Sequence, residues 1–175
     1  SIETHATQAI DATAWLQTPL GQYLLAREQA YIDKTVADIF GYNALQIGLP
    51  DIDLLRANRM SLRATVDRAA TAHLRADSTE LPVTSASIDL VLLPHVLEFS
   101  PHPHRVLREV ERVLVPEGSV VISGFNPFSL WGARRLVARR AAAVPWSGHF
   151  RSAMRIRDWL TLLGFEVQGN AFGAY

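Results

Sequence analysis

Three observations predict an α/β fold with a mostly parallel sheet covered on both faces. Short apolar segments alternate with amphipathic ones, the apolar segments read as continuous buried runs, and no repeat or long linker divides the chain. The 175 residues suit one domain, with a helical cap over 1–42 and an α/β core over 43–175. A domain of this size buries roughly two-thirds of its unfolded surface, and 49% hydrophobic with 19% charged residues is the composition of such a domain.

The elements follow in order. Residues from Ser1 to about Thr13 are small and polar, with Trp15 as a docking contact. Thr18-Pro19-Leu20-Gly21 reads as a helix start, Thr18 as N-cap and Pro19 in the first turn. Leu20, Leu24, Ala30, Tyr31, Ile39 and Phe40 keep helical spacing up to a stop at Gly41, and core packing explains them. Asn43 to Gly48 predicts a short buried strand running into a turn. Pro50 to Asn58 predicts a helical turn or two, and Ser61 to Val66 and Ala72 to Ala76 predict strands.

Ser87 to Leu93 is the clearest strand, an apolar run stopped by Pro94. Pro103 to Leu114 is an amphipathic helix with Val106, Leu107, Val110, Val113 and Leu114 as its stripe; Arg105, Arg108, Glu109, Glu111 and Arg112 are expected in water. Pro116-Glu117-Gly118 is a turn, and Ser119 to Ser123 a buried strand. Ser129 to Ala143 is expected to be a basic helix, Ile156 to Leu163 a helix closed by Gly164, and Phe165-Glu166-Val167 a strand.

Composition narrows the chemistry. There is no cysteine, which excludes disulfides, thiolate metal sites and a cysteine nucleophile and fits a reducing compartment. No apolar run approaches the roughly 20 residues of a membrane span, and the N-terminus lacks a signal pattern, so a cytoplasmic location and no membrane partner are expected. Net charge is zero, yet seven arginines and no acid lie between Arg134 and Arg157. Arg134, Arg135, Arg139 and Arg140 recur at helical spacing beside Trp131; a solvated face explains them, and RNA contact is the alternative.

From Leu81 to Gly124 the chain reads Leu-Pro-Val-Thr-Ser-Ala-Ser-Ile-Asp-Leu-Val-Leu-Leu-Pro-His-Val-Leu-Glu-Phe, then Leu-Arg-Glu-Val-Glu-Arg-Val-Leu-Val-Pro-Glu-Gly-Ser-Val-Val-Ile-Ser-Gly. In that order and at those spacings it resembles the class I S-adenosylmethionine-dependent methyltransferases of the type 11 group. It is similar in particular to a divergent bacterial branch with the same Gly-Phe-Asn-Pro-Phe-Ser after the fifth strand. Arg75 to Pro82 resembles the family's Gly-Asp-Ala-x-x-Leu-Pro loop, and Trp159 to Val167 its late helix and strand. The resemblance covers about Ala44 to Val167.

It implies a three-layer Rossmann-like sandwich, here without the usual seventh strand after Val167, and an open sheet edge through which a homodimer would form. It also implies S-adenosylmethionine as cofactor, an unidentified small-molecule or macromolecular methyl acceptor, and no assignable catalytic base. By the same resemblance Gly48, Leu49 and Pro50 stand at the glycine loop, Asp67 at the ribose hydroxyls, Asp77 and Ser78 at the adenine, and Leu93, Pro94 and His95 beside the methionine part. The loop departs from the family's Gly-x-Gly-x-Gly: Gln46 replaces an acid, and Pro50 and Ile52 replace glycines.

Each of these has a plainer reading beside it. Asp77 also reads as a turn cap, Asp67 as a solvated turn acid, Gly48 as a turn glycine and His95 as a packed loop histidine rather than a base. Glu98 reads as a loop acid. His102 and His104, between Pro101 and Pro103, read as a helix start rather than a metal site. Asn126-Pro127-Phe128 resembles the tetrad of nucleic-acid amino-methyltransferases but follows the fifth strand, and reads as a turn. Two further functions stay open: a methyltransferase-like scaffold without turnover, and RNA binding through residues 129–143.

Overall fold

The computed structural model describes residues 17–123, 130–136, 139–143 and 160–170. Helix α1 (Pro19–Ala37) starts as its residues dictate: Thr18 is extended, and its hydroxyl accepts the Gly21 N–H at 3.0 Å. The buried stripe differs from the predicted one. Glu28, Ile32 and Val36, four residues apart, face inward, while Leu20, Ala30 and Phe40 are exposed. Full burial of Ile32 and Val36 contributes about 1.5–3 kcal/mol each.

Five parallel strands make the core: β1 (Asn43–Ile47), β2 (Leu62–Asp67), β3 (Leu74–Arg75), β4 (Ile88–Pro94) and β5 (Leu114–Ser123). Their order is β3-β2-β1-β4-β5, so the sense in which successive strands are added to the sheet reverses between β1 and β4. Side chains alternate between two cores. Leu45, Ile47, Val91, Leu93, Val120 and Ile122 pack with Val106, Leu107, Val110 and Val113 on one face. Ala44, Leu90, Leu92 and Val121 pack with Ile32 and Val36 of α1 on the other. Both faces are covered, which is why these strands read as unbroken apolar runs.

After β4 come a single helical turn, α2 (Val96–Phe99), and helix α3 (Pro103–Val113), whose four stripe residues are fully buried. Glu109 and Arg112 do not face open water as expected. Arg112 donates to the carbonyls of Leu81 (2.9 Å) and Val83 (3.0 Å), and Glu109 accepts the Leu81 N–H at 2.8 Å and pairs with Arg112. Together they pin the loop that enters β4. Leu114, expected in the helix, opens β5 instead. Pro116-Glu117-Gly118 lies inside β5 as an irregularity: pairing jumps from Ile88↔Leu114 to Leu90↔Ser119.

The described residues of 129–143, expected in a basic helix, form strands instead. Leu130–Leu136 forms β6 and Arg139–Ala143 forms β7, an antiparallel pair with Arg135 opposite Arg140. β6 runs antiparallel and β7 parallel to β5. The outer side of β5 would otherwise be an unpaired edge, and pairing there satisfies its backbone groups. β8 (Glu166–Asn170) follows a helical turn at 160–162 and Gly164, and pairs antiparallel with β6.

The segment Pro50 to Asn58, expected to contain helical turns, is a chain of tight turns without a helix. The readings for Ser1–Thr13, Trp15, Asn126–Phe128 and the first part of the late helix lie outside the described residues. No helix among the described residues is long and apolar enough to cross a membrane.

Candidate functional site

Parallel strands bring their C-terminal ends to one edge, and β1/β4 is where strand order reverses, the place where ligands bind in open α/β sheets. At the β1 exit, Gly48 has φ +89 and its N–H continues the ladder to Val66 O at 2.8 Å. A Cβ there would stand 3.3 Å from Val96 Cγ2, so the glycine lets the β1 and β4 exits approach closely. Leu49 also has positive φ, +47, an unfavourable conformation for a branched side chain.

Gln46 explains how that path is held. Its side chain is 1% exposed. The amide nitrogen donates to Gly48 O (3.0 Å), Leu49 O (2.9 Å) and Ile52 O (2.9 Å), while Oε1 accepts the Leu54 N–H at 3.0 Å. Two amide hydrogens are shared among three carbonyls, and the loop 48–54 curls around one side chain. A carboxylate here would only accept, whereas the amide both donates and accepts. Because a trans peptide sets N–H opposite C=O, the Leu49 N–H points away from Gln46, and Pro50 offers none.

Asp67 closes β2, and its Oδ2 accepts the Ala69 N–H at 2.9 Å. Asp77, two residues past β3, accepts Thr79 N–H (2.8 Å) and Thr79 Oγ1–H (2.7 Å) at Oδ1, and Arg68 pairs with Oδ2. The turn-cap reading of Asp77 therefore holds in this structure. Arg68 is exposed, so that pairing lies at the surface. Ser78 follows in the same turn, half-buried.

Leu93 and Pro94 are buried at the end of β4, and His95 turns the chain with φ 55 and ψ 25. Its N–H reaches Ser123 O at 2.9 Å, and its Nε2 lies 2.8 Å from Glu28 Oε2. His95 is 6% and Glu28 8% exposed, which makes this a buried pair joining α1 to the β4 exit. Glu28 was not anticipated. The signal was present, an acid four residues before Ile32 on the buried stripe. His102 caps α3 and Pro103 begins it, with His104 edge-on to His102. Glu98 lies in α2. No group of three or more histidine or acidic side chains placed to hold a metal occurs among the described residues.

Below the loop lies a cavity of about 250 Å³, lined among others by Gln46, Pro50, Ile52, Arg63, Thr65 and His73. It sits where a crossover helix would cover β2, and the helix-free segment 48–61 leaves it open. His73 Nδ1 accepts the Thr65 N–H at 3.0 Å, which fixes that nitrogen as the acceptor.

The type 11 methyltransferase-domain family matches residues 43–122, the segment that builds the parallel sheet from β1 into β5. The α/β core has the fold of the class I methyltransferases. The chain is 34% identical over 155 residues to the uncharacterized protein YafS of Escherichia coli, covering 87% of this chain and 65% of that one. It is 29% identical over 105 residues to a demethylmenaquinone methyltransferase of Chlamydia pneumoniae, covering 58% of this chain and 44% of the relative. It therefore spans less than two-thirds of the length of either. Its fold is similar to that of the N-methyltransferase NodS from Bradyrhizobium japonicum, solved with S-adenosyl-L-homocysteine. The TM-score is 0.51 at 12% identity, over 67% of this chain and 71% of that one.

Proposed function

We propose that the domain is an S-adenosylmethionine-dependent methyltransferase. One observation carries the reading: in the order β3-β2-β1-β4-β5, four strand ends set Gly48, Asp67, Asp77 and Pro94–His95 along a single edge. That donor set suits a nucleoside with an amino-acid tail. Asp67 faces two ribose hydroxyls, Asp77 the adenine amino group once Arg68 swings into solvent, and Gly48 with the outward Leu49 N–H the amino-acid end. When bound, the cofactor supplies a methyl group already activated on a sulfonium. What the chain adds is orientation and exclusion of water, the terms that dominate when donor and acceptor need only be aligned.

Calorimetric titration with S-adenosylhomocysteine tests this. Saturable binding is expected, and Asp77→Asn is expected to weaken it about 10- to 100-fold, the worth of a hydrogen bond to a charged acceptor. No heat at millimolar ligand would sink the cofactor reading. It would leave the second one, a methyltransferase-like scaffold, which is favoured by the inward carbonyls of Gly48, Leu49 and Ile52 and by the missing N–H of Pro50.

A further inference from the structure

Helix α1 places one acid on the stripe that faces the sheet. Glu28 lies one turn before Ile32 and is 8% exposed. Its Oε2 meets His95 Nε2 at 2.8 Å, while its Oε1 is buried with no hydrogen-bond partner among the described residues. The same holds for Oγ of Ser123, a residue 2% exposed at the end of β5. The backbone ties the two residues to the same strand ends: Ser123 pairs with Pro94 in the β4–β5 register, and its carbonyl accepts the N–H of His95, the partner of Glu28. His95 is followed in the chain by Val96, the residue that Gly48 approaches at the switch point.

A buried carboxylate oxygen without a donor is costly, and such groups persist where function requires them. An ionised carboxylate only accepts hydrogen bonds, so a ligand that completes Glu28 must bring an N–H or an O–H. We propose that Glu28 and Ser123 receive the nucleophile of the methyl acceptor, that this nucleophile is an amine nitrogen or a hydroxyl oxygen bearing hydrogen, and that Glu28 takes the hydrogen as the methyl group moves. The inference rests on the methyltransferase reading above and gives it an acceptor class.

The step balances. The lone pair on the nucleophile forms the new bond to methyl carbon, and the sulfur–methyl bond breaks with both electrons left on sulfur, which discharges the sulfonium. The proton passes to Glu28 Oε1 and then to solvent. His95 is a positioning residue: its Nε2 holds Oε2 and so aims Oε1. Carbon nucleophiles are disfavoured, since a C–H group makes no strong hydrogen bond to a carboxylate.

Two measurements on the whole chain decide it. With S-adenosylmethionine isotopically labelled at the transferred methyl group, magnetisation transfer is expected from the bound methyl to Glu28, Ser123 or His95 side-chain hydrogens. A bound methyl signal without such contacts overturns the site, while no bound signal removes the cofactor and the site with it. Release of S-adenosylhomocysteine is then followed with primary amines, phenols and β-diketones as separate acceptors. Turnover of an amine or phenol is expected to fall about 10²- to 10⁴-fold in Glu28→Gln. Asp33→Asn, which breaks an ion pair to Arg56 elsewhere on α1, is expected to keep the rate. Equal rates in wild type and Glu28→Gln, an equal loss in Asp33→Asn, or turnover confined to the diketones would each overturn the proposal.

Discussion

Replacing Gln46 by leucine tests whether one amide holds the β1 exit loop. Leucine preserves size and burial and removes only the hydrogen bonding. The amide supplies two hydrogens to three carbonyls and accepts one N–H from Leu54, equivalent to three bonds at about 1 kcal/mol net each. Because those partners are left buried, a loss of about 3 kcal/mol is expected. With a urea dependence of about 2 kcal/mol per molar, the unfolding midpoint should fall by about 1.5 M. Gln46→Glu adds a second arm. A carboxylate there faces three carbonyl oxygens in a site 1% exposed, which raises its folded-state pKa above the unfolded value. The folded chain then binds the proton more tightly, so the penalty is full above the raised pKa and shrinks as pH falls through it. A Gln46→Leu unfolding free energy within about 0.5 kcal/mol of wild type, the range of ordinary surface changes, would refute the reasoning.

Gly48→Ala places a Cβ at φ +89 and 3.3 Å from Val96 Cγ2, so a loss of about 1–3 kcal/mol is expected. That corresponds to a thermal midpoint lower by roughly 3–10 °C in differential scanning calorimetry; an unchanged midpoint counts against close approach at the switch point. Glu109 is held below the usual carboxylate range, first by its hydrogen bond from Arg112 and also by the Leu81 N–H. Its folded pKa is depressed, so its contribution is present above the unfolded pKa and is lost as pH falls through the folded one. Glu109→Gln should therefore be less stable than wild type at neutral pH, with the gap closing in acid; a gap independent of pH would show that the pairing is not electrostatic.

Much of this fold was legible because it follows from local pattern. The run Ile88–Leu93 reads as a doubly covered strand and is one, and the Thr18-Pro19 start needs only a hydroxyl three residues before an N–H. The segment 130–143 resisted the same treatment. Its apolar and basic residues fit a helical period, but the open side of β5 offers backbone pairing that no local window reveals. α1 was recognised with its stripe out of phase. Centring that stripe on Leu20 and Phe40 put Glu28 on the wrong flank and concealed an acid aimed at the sheet.

The site divides in the same way. The strand-end positions of Gly48, Asp67, Asp77 and His95 were legible because parallel topology sends every strand end to one edge, whatever the loops do afterwards. What the loops do depends on Gln46, and its role could not be read from the chain because three of its four partners are carbonyls that any residue type carries. The departure at Pro50 and Ile52 also looks different once that amide is in view. Glycines permit a flexible loop to fold around a ligand at an entropic cost; a loop already curled around a buried amide, with proline restricting one torsion, meets the ligand with that cost prepaid. The altered motif thus trades backbone donors for preorganisation, and the Leu49 N–H is the donor that the Gln46 bond to Gly48 O leaves pointing outward.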